Sequence, residues 1–113
     1  MEIKVNDPPR KFSVGQDNKI ELKDCGRIKL ENNELVTFTT NDNKEYDVAK
    51  KDWGFYATPS VNKRLHNFGF KTALVKNSSS EYYVMLVEND KMDLFQEYLK
   101  SEKQKVELWL DEK

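Results

Sequence analysis

The sequence predicts an α+β fold, mainly an antiparallel curled sheet or half-barrel with two helices, at about 59–68 and 90–102. Three observations point there. Apolar residues alternate at every second position through most of the chain, as in half-buried strands. Two windows switch to the i, i+4, i+7 spacing of an amphipathic helix. The order of these windows, strands first and then strand–helix–strand–strand–helix–strand, is that of an α+β arrangement.

Composition narrows the class. A chain of 113 residues fits one domain, 1–113, with residues 1–18 as a loosely attached N-terminal segment. With 37% hydrophobic and 35% charged residues the core must be compact, and the 12% aromatic share supplies large side chains for it. A net charge of −1 argues against a general nucleic-acid binder and a polybasic membrane module. One Cys leaves no intramolecular disulfide, no metal cluster and no cofactor signature. MEIKVNDPPRKF lacks a signal-peptide core, and no run approaches the roughly 18 apolar residues of a membrane span, so a cytoplasmic protein is expected.

Along the chain, Ile3 and Val5 alternate with charges and form a short strand at best, because Asp7-Pro8-Pro9 enforces a break. Ile20 with Leu22, and Ile28 with Leu30, form two strand pairs separated by a turn at Asp24-Cys25-Gly26. Glu34 to Thr40 is β-branched, Asn41-Asp42-Asn43 supplies turn chemistry, and Glu45 to Ala49 carries Tyr46 and Val48 on one face: a hairpin. Trp53-Gly54-Phe55-Tyr56 continues as strand.

Thr58-Pro59 reads as a helix start, with Thr as cap and Pro at the first helical position. Val61, Leu65 and Phe68 make its apolar stripe, and Gly69 stands where a C-terminal cap belongs. Phe70 to Lys76 is strand, and Asn77-Ser78-Ser79-Ser80 is a loop. Tyr82 to Val87 (YYVMLV) is apolar on both faces, the composition of a central, most buried strand. Asn89-Asp90 caps a second helix with Met92, Phe95 and Leu99 along its stripe and Leu94 and Tyr98 beside them. Val106, Leu108 and Leu110 alternate as a last strand.

Charge singles out the middle of the chain. Between Lys50 and Lys76, six basic residues (Lys50, Lys51, Lys63, Arg64, Lys71, Lys76) face only Asp52, a local charge of +5. Such a segment can steer phosphate or carboxylate ligands without a basic protein overall. A plainer reading competes with it: Lys63, Arg64 and His66 complement the C-terminal dipole of the predicted helix, and Lys50 and Lys51 guard a strand end.

The start of that helix is the second candidate. Thr58, Ser60 and the N–H groups after Pro59 could hold an anion, with Asn62, Arg64 and His66 one turn further in. Trp53 and Tyr56 lead into it as an aromatic wall, and donors beside such a wall suit a sugar, a base or a sugar phosphate. The candidate ligand-binding set is therefore Trp53, Tyr56, Thr58, Ser60, Asn62, Arg64 and His66. Against it, Thr-Pro-Ser begins many helices, and Trp–Phe–Tyr runs are usually core.

Catalytic signals are weak. Cys25 and His66 could pair as nucleophile and base, but nothing in the sequence brings them together. There is no Gly-rich phosphate loop and no Cys-x-x-Cys. Tyr82, Tyr83 and Phe95 could form a stacking platform for single-stranded nucleic acid. The charge of −4 over residues 77–113 repels a phosphate backbone and argues against it.

The stretch WGFYATPSVNKRLHNFGFKTALV, followed by YYVMLVE and a helix ending near Trp109-Leu110-Asp111, resembles a group of small uncharacterised bacterial proteins. These are associated with gene clusters for surface-polysaccharide biosynthesis. The likeness covers roughly residues 26–111 and is most specific from Trp53 to Val75. That family has no established activity, so the resemblance implies no catalytic residue, only sugar-nucleotide or glycan-assembly chemistry nearby.

The expected function is a non-catalytic binding or accessory module for a small sugar or phosphate ligand, or for a partner enzyme. The alternatives are a homodimeric interaction module and a small enzyme using His66.

Overall fold

Two prolines decide the shape of the first hairpin. In the computed structural model, which describes residues 1–112, β1 (Glu2–Val14) pairs antiparallel with β2 (Ile20–Lys29). The ladder runs from Glu2↔Lys29 to Val5↔Gly26, stops, and resumes from Arg10↔Asp24 to Val14↔Ile20, so residues 6–9 face Cys25 alone. Pro8 and Pro9 have no N–H to give to a ladder, and the strand bulges around them instead of ending. Residues 1–18, expected to hang loosely, carry this strand.

The turn expected at Asp24-Cys25-Gly26 is absent, because β2 runs straight through it. Its turn chemistry serves the bulge instead. The Gly26 N–H donates to Asp24 Oδ1 at 3.2 Å, and Asn6 Nδ2 donates to the Asp24 carbonyl at 3.0 Å. Gly26 has φ 151°, and a Cβ there would collide with the carbonyl oxygen of Lys4. Only glycine meets both conditions.

Contacts divide the chain into two compact units, residues 1–36 with 48–56, and residues 37–47 with 57 onward. A three-stranded sheet has the order β3 (Leu35–Thr39), β4 (Glu45–Lys51), β5 (Gly54–Ala57). The β3–β4 hairpin closes as its composition indicates. The Thr40 N–H donates to the Lys44 carbonyl and the Asn43 N–H to the Thr40 carbonyl, both at 3.0 Å, with Asn43 at a positive φ of 63°.

In the second unit, β6 (Phe70–Lys76) lies between β7 (Tyr82–Glu88) and β8 (Lys105–Trp109), antiparallel to both. The centre is therefore β6, which buries Phe70, Thr72, Ala73 and Val75. Tyr82–Val87, expected to be central, is an edge: Tyr82 is 55% exposed and Val84 67%. Among the described residues the strands form three open sheets, an α+β arrangement that is not clearly the curled half-barrel expected.

Helix α2 (Met92–Ser101), entered through a 3₁₀ turn at Asn89–Lys91, matches the expected second helix to within a residue or two. Asn89 and Asp90 do not cap it; the residue before it is Lys91, with no side-chain cap. Two residues of its predicted stripe are borne out, since Phe95 and Leu99 pack with Ala73, Val75, Met85, Val106 and Trp109. Leu94 and Tyr98 stay exposed.

Alternation fails in β8 for a local reason. Val75 pairs with Val106 and Leu74 with Leu108, which leaves Glu107 as an extra residue. A bulge reverses the parity of the residues beyond it. Trp109 then reaches the core instead of Leu108, and Leu110 begins a 3₁₀ turn. The side chain of Asp111, 1% exposed, accepts the Thr72 N–H at 3.0 Å and pairs with Lys71 at 3.2 Å.

The largest departure is the first helix. Instead of spanning 59–68, α1 is a single turn, Arg64–Asn67. Thr58 does not cap it: its N–H donates to the Asp47 carbonyl at 3.0 Å, and its hydroxyl accepts from Arg64 Nη2 at 3.0 Å. The Ser60 carbonyl accepts the Leu65 N–H at 3.1 Å, closing a turn where the helix was expected to propagate. Val61, Asn62, His66 and Asn67 are poor helix formers, so little opposes this. Leu65 is buried as predicted, and Gly69 ends the turn at φ 90°, its N–H donating to the His66 carbonyl at 2.9 Å.

These contacts set two expectations for stability. Gly26→Ala should cost about 1–3 kcal/mol in urea unfolding, because strain and collision add; an unchanged midpoint would remove the bulge constraint. The second concerns acid. Burial alone would raise the Asp111 pKa, but the Thr72 N–H and Lys71 hold the carboxyl below its ordinary value. At Asp47 the Thr37 hydroxyl, and then Arg64, outweigh burial in the same direction. A carboxyl depressed on folding contributes stability above its unfolded value of about 3.9, lost as pH falls through the folded value. Urea midpoints should therefore fall steeply below about pH 4. Asp111→Asn should cost about 1–2 kcal/mol at neutral pH and flatten that acid limb.

Candidate functional site

The seven residues singled out in the sequence fall in both units. Trp53 and Tyr56 belong to the first. Trp53 sits in the turn between β4 and β5, 68% exposed, with its ring centroid 5.9 Å from that of Tyr56 and a 30° tilt between the planes. It is not core. Beside it Phe55 is exposed, with Lys50 Nζ 5.9 Å over its ring.

Thr58, Ser60, Asn62, Arg64 and His66 belong to the second unit. Thr58 and Arg64 are brought together by the hydrogen bond from Nη2, and Arg64 Nη1 pairs with Asp47 Oδ2 at 2.9 Å. Asp47 also accepts from the Thr37 hydroxyl at 2.7 Å. Arg64 thus clamps the β3–β4 hairpin to the segment before α1. His66 is exposed and stands outside the shallow hollow formed by Lys63, Arg64, Asn67 and Phe68. A helix of one turn carries too little aligned dipole for the anion site expected at its start.

Part of the basic middle segment finds acidic partners in the fold. Arg64 is matched by Asp47, Lys71 by Asp111 and Glu112, and Lys76 by Glu107 at 3.7 Å. Lys50 and Lys51 donate to the Asn32 and Asn33 side-chain oxygens, and Lys50 also to the Lys51 carbonyl. The acids that answer four of these contacts lie outside residues 50–76, so a local sum along the chain could not count them.

A concavity with both polar and aromatic groups lies elsewhere in the second unit. It has a volume of about 300 Å³ and is walled by Phe38, Tyr46, Phe70 and Leu86, with Thr39, Thr40, Lys44 and Glu88 as its polar groups. The hairpin supplies one wall. Thr40 bonds Lys44 across the turn and Thr37 bonds Asp47 further down, so Phe38 and Tyr46 come side by side. The sheet supplies the other: Phe70 pairs with Glu88 and Thr72 with Leu86, which places Phe70, Leu86 and Glu88 on one face.

Lys44 joins the two walls. Its Nζ lies 3.1 Å from Glu88 Oε1, 3.3 Å from Asp90 Oδ1, 3.6 Å from Asp42 Oδ2 and 5.9 Å over the Phe70 ring. The Glu88 hydrogen bond leads in raising the Lys44 pKa above its ordinary value, against desolvation and with help from Asp90 and Asp42. Lys91 also reaches Glu88, at 3.3 Å. Two ammonium groups against three carboxylates leave the region net negative.

Sequence reasoning missed this site. The signal was present: Phe38 and Tyr46 stand four residues either side of Asp42, the centre of the turn. A hairpin folded there must make them neighbours.

Among the described residues, no group of three or more His, Cys, Asp and Glu is placed to hold a metal ion, and no helix is long and apolar enough to cross a membrane. The chain matches no protein-family model, no curated protein and no solved structure.

Proposed function

We propose that this chain is a non-catalytic binding module for a sugar-containing ligand, held in the Phe38–Tyr46–Phe70 concavity. The observation that carries this reading is the charged pair Lys44–Glu88 set between aromatic walls. A pyranose has an apolar C–H face that packs on aromatic rings, and hydroxyls that can accept from an ammonium and donate to a carboxylate. Few, well-placed polar groups in a mainly apolar hollow are what fix a small ligand's orientation. The resemblance read from the sequence, which no matching family carries, would give such a ligand a context in surface-polysaccharide chemistry. The net negative surroundings of Lys44 favour a neutral sugar over a sugar phosphate.

The test is calorimetric titration of the full chain with neutral mono- and oligosaccharides, nucleotide sugars and sugar phosphates. Neutral sugars should bind best. Phe38 is 54% exposed, so Phe38→Ala should leave the fold intact and weaken binding about tenfold, the loss of one stacking contact. Lys44→Met should weaken it as well. Trp53→Ala should have no effect. Absence of binding across the panel, or loss on Trp53→Ala with Phe38→Ala unchanged, would refute this site.

A further inference from the structure

We infer that β7 is the seam of a homodimer, in which a second copy of this chain adds its own β7 antiparallel to the open edge. The sheet would then run β8-β6-β7-β7-β6-β8.

The two edges of the sheet differ in what guards them. β8 carries Lys105 and Glu107 and a bulge, devices that discourage pairing with another strand. From Tyr82 to Val87, β7 has no charge, no proline and an unbroken register with β6. Its composition is that of a strand covered on both faces and both edges. In a single chain it is half uncovered, and in the dimer it becomes central.

Beside the edge runs an apolar groove of about 450 Å³, lined among others by Met85, Val87, Leu94, Phe95 and Tyr98. Leu94, 64% exposed, and Tyr98 lie four residues apart on α2, just outside its buried stripe. Side chains of an added strand on the Met85 face would enter this groove, and the two α2 helices would meet through these residues.

The charges select the second copy as the occupant. With Met85 on the two-fold axis, Val84 faces the partner's Leu86, Tyr83 the partner's Val87, and Tyr82 the partner's Glu88. No like charges meet. The ammonium of Lys76, 3.7 Å from Glu107, lies 5.7 Å over the Tyr82 ring on the face where the partner's Glu88, held in its own copy by Lys44 and Lys91, arrives, so opposite charges face each other across the seam at both ends.

Light scattering of the purified full chain at micromolar concentration should give twice the chain mass of 13.3 kDa. Val84→Lys and, separately, Leu94→Glu should each weaken the dimer at least tenfold while circular dichroism stays unchanged. Should either variant unfold, Met85→Cys in a Cys25→Ser background decides. Paired residues on the axis have Cα atoms about 4.5–5.5 Å apart, within disulfide reach, so mild oxidation should give a covalent dimer. A monomer throughout the micromolar range, a dimer indifferent to both substitutions, or no cross-link at Met85 would overturn the proposal. Val84, Met85 and Leu94 line no part of the ligand concavity, so these outcomes are read separately from sugar binding.

Discussion

β6 is paired on both sides, by β7 and by β8, and most of what surrounds that sheet is placed by it. Its side chains divide the work by parity. Ala73 and Val75 form the core with α2 and β8. The Thr72 N–H and the Lys71 ammonium hold Asp111, which fixes the closing turn. Phe70 lies under Lys44 and Lys76 over Tyr82, so the same strand sets both the floor of the concavity and the charge beside the open edge.

Much of the local structure could be read from the residues, because hairpins and amphipathic helices are decided by near neighbours. The turn at residues 41–43 and the Phe95–Leu99 stripe are of that kind. What could not be read depends on partners distant in sequence. Thr58 has the chemistry of a helix cap, but its hydroxyl is engaged by Arg64, which Asp47 holds from seventeen residues away. The bulge at Glu107 is invisible in an alternating pattern, yet it exchanges Leu108 for Trp109 in the core. Asp24-Cys25-Gly26 does contain turn chemistry, used to accommodate the proline bulge on the neighbouring strand.

The same distinction governs the site. The +5 segment is partly answered in the fold, since Asp47, Glu107, Asp111 and Glu112, all outside it in sequence, pair with Arg64, Lys71 and Lys76. The concavity round Lys44 has the opposite character, an ammonium enclosed by carboxylates between aromatic walls, and that moves the proposed ligand from an anion toward a neutral sugar. Tyr82–Val87 is the instructive mismatch. Its composition is that of a central strand and its position that of an edge, and the proposed pairing between two copies would reconcile them.

The most direct measurement is amide hydrogen exchange along β7 as a function of protein concentration. Alternate N–H groups of this strand point toward β6 and away from it. If the sheet continues through a second copy, the outward amides between Tyr82 and Val87 exchange as slowly as the inward ones at high concentration and speed up on dilution. Outward amides that exchange freely at every concentration would show the edge to be open, and would contradict the dimer.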